Sequence, residues 1–161
     1  MHVPDEDDEK FMRRAIELAR EGMESNSGGP FGCVIAKDGR IVGEGVNQVT
    51  STNDPTAHAE IVAIRNACKK LASFQLDGCV VYTSCEPCPM CLGAIYWARP
   101  EHIYIACNRD DAAAVGFDDA FIYDELNAEF ERRTVPIFSL MRNEGLAVFQ
   151  NWVDKIDKIE Y

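Results

Sequence analysis

Long apolar runs are missing from this chain. No stretch approaches the roughly 18 consecutive apolar residues that a membrane-spanning helix needs, and residues 1–10 are acidic and lack the apolar core of a secretory signal. The expected compartment is therefore the cytoplasm, with no membrane partner. Positive charge is scarce: 16 Lys and Arg stand against 27 Asp and Glu, a net charge of −11 at pH 7. Nucleic-acid binders usually present a basic face, because neutralising phosphates supplies much of their affinity. Here the densest basic pairs are only Arg13-Arg14, Lys69-Lys70 and Arg132-Arg133, so the balance favours a small-molecule substrate over nucleic acid. No internal repeat and no low-complexity segment is visible. Cysteine is present in an odd number, seven, which, without a secretory leader, argues against a disulfide framework.

What is present is ordinary for a globular protein. The 161 residues, 47% hydrophobic and 27% charged, suit one domain with a real core. Cys33, Cys68, Cys79 and Cys107 sit in apolar surroundings and read as small buried hydrophobes.

The stretch from residue 58 to residue 91 carries the chemistry. It holds His58-Ala59-Glu60 and, thirty residues on, Pro87-Cys88-Pro89-Met90-Cys91. H-x-E alone is common in helices, and C-x-x-C alone has redox, structural and metal readings. In this order the two resemble the H-x-E…P-C-x-x-C signature of zinc-dependent nucleobase and nucleoside deaminases. Imidazole nitrogen and thiolate sulfur suit a tetrahedral zinc, and three protein ligands leave one position for water, the mark of a catalytic site. His58, Cys88 and Cys91 are the expected ligands of one Zn²⁺ per subunit, with a catalytic water. Zinc lowers the pKa of such a water from ~15.7 to about 7. Glu60 is the expected proton shuttle. Pro89 suits the first position of a helix, with Cys88 before it and Cys91 one turn on. Asp54-Pro55-Thr56 reads as the start of another helix carrying His58 and Glu60 in its opening turn. Two helix N-termini facing one zinc would favour thiolates and hydroxide.

Along the chain, Phe11, Ala15, Leu18, Ala19 and Gly22 or Met23 recur at helical spacing after an acidic opening. Residues 25–30 are a turn-rich loop, in which Gly28-Gly29-Pro30 reads as a turn. Residues 31–36 and 41–46 read as strands joined by the D-G hairpin signal of residues 37–40. The next helix carries Ile61, Ile64, Ala67, Cys68 and Leu71 on one face. Residues 79–83 read as a buried strand, 84–87 as a loop into a helix that ends near Arg99-Pro100, and 102–106 as a fourth strand. Beyond Cys107 the pattern weakens. A short helix over 119–126, a charged arm over 127–136, a fifth strand over 137–140 and a C-terminal helix over 146–159 are expected. Strands alternating with helices point to an α/β sheet covered on both faces.

Over nearly its whole length the sequence resembles the small bacterial guanine deaminases of the cytidine deaminase-like superfamily. The matching stretches are Gly29-Pro30-Phe31-Gly32, Asn47, residues 53–60, residues 84–98, Gly116-Phe117-Asp118-Asp119 and the terminal Glu160-Tyr161. The central motifs are shared with cytosine and tRNA adenosine deaminases, so the last two stretches are the guanine-specific part. The resemblance implies a three-layer α/β/α fold around a five-stranded mixed sheet, in a single domain over 1–161. It implies hydrolysis of guanine to xanthine and ammonia, a step of purine metabolism, by attack at C2. It places Asn47 on the purine edge, Phe31 against the ring, Ala59 among the substrate contacts and Trp97 in the pocket wall. Asp119 would bind the base and assist proton transfer. It also implies a homodimer in which residues 127–161 cross to the partner and Tyr161 covers the partner's pocket.

Each of these residues also has a plainer reading. His2 and His102 have no ligand company and read as structural. Cys85 extends the pattern to C-x₂-C-x₂-C, but a ferredoxin-type cluster needs a fourth Cys where Ile95 stands. As a fourth zinc ligand Cys85 would close the site; it reads instead as a packed neighbour. Asn47 is equally a turn residue, Phe31 and Trp97 are residue types more often found in the core than against a substrate, and Asp118-Asp119 would serve as an N-cap pair. A terminal Tyr161 is ordinarily frayed. Guanosine deamination and tRNA adenosine deamination remain the alternative activities.

Overall fold

Acidic residues set up helix α1 (Glu6–Glu24). Asp5 is its N-cap and accepts hydrogen bonds from the Asp7 and Asp8 N–H groups, while the Asp8 carboxylate accepts from the Asp5 N–H at 2.9 Å, a capping box. Four acidic residues in the first turn oppose the positive end of the helix dipole. Phe11, Ala15, Leu18, Ala19 and Gly22 form the buried stripe, and Gly22, not Met23, takes its last position. The computed structural model describes residues 4–161; His2, read from sequence as structural, lies outside the described residues.

The sheet has the order β2-β1-β3-β4. Strands β1 (Gly32–Lys37) and β2 (Arg40–Val46) form an antiparallel hairpin whose central residues Asp38 and Gly39 both have positive φ, +49° and +70°. That is the type I′ geometry expected of a D-G turn. Strand β3 (Cys79–Cys85) pairs antiparallel with β1 and parallel with β4 (His102–Cys107), so the sheet is mixed.

Period-two alternation sends neighbouring β1 residues to opposite layers. Val34 and Ala36 join Phe11, Ala15 and Leu18 of α1, and Tyr82 of the strand paired with β1, in one core. Cys33 and Ile35 join a second core with Ala59, Ala63 and Ala67 of α3 (Ala59–Leu71) and Ala98 of α4 (Pro89–Ala98). The result is three layers, α/β/α. The fully buried line of α3 is alanine at 59, 63 and 67, whereas Ile64, Cys68 and Leu71 pack at its flank. The cause is close approach to β2: a Cβ at Gly43 or Gly45 would lie 2.5 or 2.1 Å from the Ala63 or Ala59 carbonyl oxygen.

Asp8 also ties α1 to the sheet. Its carboxylate accepts from the Tyr82 hydroxyl at 2.5 Å and the Tyr104 hydroxyl at 3.3 Å, and burial with this carboxylate pushes the Tyr82 phenol well above its usual range. Hydrogen bonds to a buried charge contribute about 1.5–3 kcal/mol. Asp8→Ala is therefore expected to lower stability by about that amount, measured as a reduced urea midpoint at unchanged slope.

Several expectations are corrected. Among the described residues the sheet has four strands, not five. Residues 137–140 form no strand, because an apolar run becomes a strand only when it pairs, and Ile137, Phe138 and Leu140 are exposed. The helix expected from Asp54 starts only at Ala59, since 54–57 is spent on a turn held by the Asp54 carboxylate. Short helices α2 (Val49–Thr52) and α5 (Arg109–Ala114) went unread. Cys33 and Cys79 are buried, but Cys107, at the end of β4, is exposed. His102 pairs with Val80 in the sheet and lies edge-on to Tyr104, a structural place.

The chain divides into two compact units, the second being Ala120–Tyr161. That unit holds α6 (Ala120–Asn127), a 3₁₀ turn at Phe130–Arg132 and α7 (Arg142–Asp154). Helix α7 begins and ends earlier than the expected 146–159, so Ile156 and Ile159 lie beyond it. Phe149, Trp152 and Val153 are exposed. No helix among the described residues is long and apolar enough to cross a membrane.

Candidate active site

Two helix starts bring the chemistry together. His58 is the N-cap of α3 and Cys88 the N-cap of α4, with Pro89 in that helix's first turn. Neither N-cap side chain caps its own helix; the two are turned on each other. The His58 Nδ1 lies 3.5 Å from the Cys88 Sγ and 3.4 Å from the Cys91 Sγ. The donor atoms of His58, Cys88 and Cys91 all fall within 4.8 Å of one another. Zn–S of about 2.3 Å and Zn–N of about 2.0–2.1 Å in a tetrahedral shell put N and S roughly 3.5 Å apart. The three residues therefore fit zinc without rearrangement. Cys85 stays outside the set: its thiol donates to the Asn108 carbonyl at 3.4 Å and burial raises its pKa to about 11. Three protein donors make an open shell, as in a catalytic zinc site.

The thiols behave as a pair. The Cys88 thiol is pulled down to about 4, chiefly by hydrogen bonding from Cys91 and then by His58. Cys91 is pushed far above its usual range, chiefly by its hydrogen bond with Cys88 and then by burial. The pair thus holds one negative charge and one proton. The Cys88 partner raises the His58 pKa. Glu60, only 6% exposed, sits in the second position of α3, and burial raises its carboxyl pKa.

These groups open into a cavity of about 360 Å³ whose lining includes Phe31, Asn47, His58, Glu60, Cys88 and Asp119. Asn47 follows β2 and is 6% exposed; its Oδ1 accepts from the Gly29 and Val49 N–H groups at 3.3 and 3.2 Å. The amide NH₂ is thus the group left for a ligand acceptor. Phe31 packs on the core beneath the sheet. Burial, then the Cys88 charge, raises the Asp119 pKa.

Two sequence-derived candidates of the first unit fall outside this lining. Ala59 is fully buried in the core beside β2. Trp97 is 66% exposed, because α4 buries Cys91, Ile95 and Ala98 and turns position 97 away from them. Tyr161 is 72% exposed at the end of the second unit. Conversely, Glu86 and Arg109 line the cavity unforeseen, with the Glu86 carboxylate accepting from the Arg109 N–H at 3.0 Å. The signal was weak: α5 is only six residues long, too short for periodicity to show.

Comparison with known proteins agrees with this geometry. Residues 5–107 match the model of the cytidine and deoxycytidylate deaminase zinc-binding region. The chain is 56% identical to the guanine deaminase of Bacillus subtilis (strain 168) over 153 residues, covering 95% of this chain and 98% of that protein. The X-ray structure of that guanine deaminase superposes with a TM-score of 0.93. The tRNA-specific adenosine deaminase of Haemophilus influenzae is 41% identical over 123 residues, 73% of this chain and 70% of that protein.

Proposed function

This chain belongs to the cytidine and deoxycytidylate deaminase zinc-binding family and has its α/β fold, and we propose that it hydrolyses guanine to xanthine and ammonia. It is a zinc-dependent aminohydrolase, and the observation that carries the substrate is the 56% identity to a guanine deaminase across both chains. With 95% of the chain covered, that relation takes in Phe117, Asp118 and Asp119, which line the cavity. The matches to tRNA-specific adenosine deaminases are more distant, and a net charge of −11 suits a small base better than a phosphate backbone.

Zinc held by His58, Cys88 and Cys91 supplies the Lewis acidity that brings the pKa of a water to about 7. Glu60 takes one proton from the attacking water and delivers it to the purine ring nitrogen, then takes the second from the hydroxyl added at C2 and delivers it to the amine, which leaves as ammonia while C2 becomes a carbonyl; its raised pKa suits a group that must both accept and give. The Asn47 NH₂ donates to an acceptor on the purine edge. Phe31 lies against the ring, and Asp119 accepts from the base and assists the proton transfer. Ala59 contributes through its backbone at the start of α3. Steady-state ammonia release from guanine, guanosine, adenine and cytosine tests the reading. Turnover of another substrate without turnover of guanine overturns it.

The C-terminal unit completes the site in a homodimer. Its support is the apolar surface the chain leaves uncovered: Phe138, Phe149, Trp152 and Val153 in the second unit, Tyr96 and Trp97 on α4, and the outer edge of β4. A segment exchanged between copies would cover both sets and carry Tyr161 to the partner's cavity. Trp97 would then shape the pocket wall from the dimer side. The prediction is complementation. Glu60→Ala and a chain lacking Tyr161, each inactive, regain up to one working site per mixed dimer when refolded together. Ammonia release that stays absent places each tail in its own chain's site, and full activity of the truncated chain alone removes Tyr161 from the mechanism.

A further inference from the structure

The cavity contains an aromatic residue that the mechanism above does not use. Helix α5 ends in a Schellman motif. Gly116 is left-handed, with φ +97°, and donates its N–H to the Ala113 carbonyl at 3.0 Å, while the Phe117 N–H donates to the Ala112 carbonyl at 3.0 Å. In this motif the residue after the glycine packs back on the third residue from the helix end. Those two residues are Phe117 and Ala112, and both line the cavity. A backbone device therefore aims the Phe117 ring.

Three contacts define where that ring sits. It meets Phe31 edge to face, with centroids 4.9 Å apart at 86°. Phe31 is anchored on the core, whereas Phe117 is 45% exposed while lining the cavity. Phe117 is thus the member of the pair at the boundary between cavity and solvent. Beneath both rings is Gly29, where a Cβ would lie 3.0 Å from the Phe117 Cζ and 3.1 Å from the Phe31 Cε2. The missing side chain at residue 29 is what lets both rings settle.

We infer that Phe117 is the specificity-determining residue at the mouth of this cavity, admitting a flat free base and excluding a base that carries a sugar. The inference rests on the purine-deaminase reading. A planar base offers a face or an edge to an edge-to-face aromatic pair. A ribose is bulky and saturated, and its hydroxyls lose water against the ring with no partner in return. To enter, it must displace Phe117 against two backbone hydrogen bonds and the left-handed turn that seats it.

The test uses the zinc-loaded parent and the variants Phe117→Ala, Phe117→Tyr and Gly29→Ala, with kcat and KM on guanine and on guanosine and zinc content measured for each. A pocket contact of this kind discriminates by about 10–200-fold. Phe117→Ala is expected to raise the guanosine-to-guanine ratio of kcat/KM by about tenfold or more, with KM for guanine rising more than kcat falls. Phe117→Tyr keeps the ring and retains the parent's selectivity. Gly29→Ala pushes the ring aside without removing it and shifts the ratio in the same direction by less. An unchanged ratio in Phe117→Ala, with guanine still turned over by the parent, overturns the inference alone, as does loss of selectivity in Phe117→Tyr. A parent that does not deaminate guanine removes the substrate reading and this inference together.

Discussion

Glu60→Gln is expected to lower kcat by about 10²–10⁴-fold while zinc content and fold stay those of the parent. Glutamine keeps the size of the side chain and its ability to hydrogen-bond a water, but it has no proton to pass on. The site makes a second expectation possible. Burial is the largest influence on the Glu60 carboxyl and raises its pKa. A carboxyl whose pKa is raised on folding favours the folded state only when protonated. That contribution is present below the unfolded pKa and is lost as pH rises through the folded one. At neutral pH, where the carboxyl of the unfolded chain is ionised, burying it therefore weighs against the fold of the metal-free protein, and a neutral Gln does not. Metal-free Glu60→Gln is expected to melt at or above the temperature of the metal-free parent at neutral pH, and the difference is expected to shrink on acidification. The two measurements separate catalysis from stability at one residue. Near-parent kcat in the variant would refute the role of Glu60. A lower melting temperature would refute the electrostatic account while leaving the catalytic one standing.

Replacing any of His58, Cys88 and Cys91 by Ala is expected to abolish stoichiometric zinc and reduce ammonia release to background. Two donors no longer define a tetrahedral shell, and the thiol pair loses the arrangement in which one charge and one proton are shared. Metal analysis of the purified variants is the direct measurement. A stability loss accompanies it, because a ligand that binds only the folded chain stabilises it by about 2.7 kcal/mol at a free concentration a hundredfold above Kd. The same groups set the pH dependence of zinc uptake. Occupation requires two thiolates and a neutral imidazole, so it displaces the proton on Cys91 and any proton on His58, whose pKa is raised. Apparent zinc affinity is therefore expected to fall as pH falls, and titration calorimetry in buffers of different ionisation enthalpy is expected to show proton release. Uptake independent of pH would contradict the shared-proton arrangement.

The elements that sequence located are those whose signal is local. The α1 stripe from Phe11 to Gly22 is written in helical periodicity, and the β1–β2 hairpin in two strands around Asp38-Gly39. Helix α4 shows itself through Pro89 in its first turn. The zinc donors were legible for a similar reason: His58, Cys88 and Cys91 are rare ligand types, and their spacing is a property of the chain. Glu60 came with them. The α3 face was legible in part: Ala67 is buried and Ile64, Cys68 and Leu71 pack against that core, but the fully buried Ala59 and Ala63 were not, because their burial follows from Gly43 and Gly45 on another element.

By itself, then, the sequence determined the candidate zinc donor set, the carboxyl two residues from His58 and the alternation of strands with helices, since each depends on residue type and short-range spacing. Tertiary structure decided which side chains share a cavity. It put Asn47, with its carbonyl side already engaged, in one cavity with Glu60 and Asp119, and brought in Glu86 from the loop after β3 and Arg109 and Phe117 from α5 and its end. It kept Ala59 and Trp97 out of the lining. It also decided that residues 137–140 form no strand in this chain, because a strand is made by the neighbour it pairs with, and no spacing within the segment can supply one.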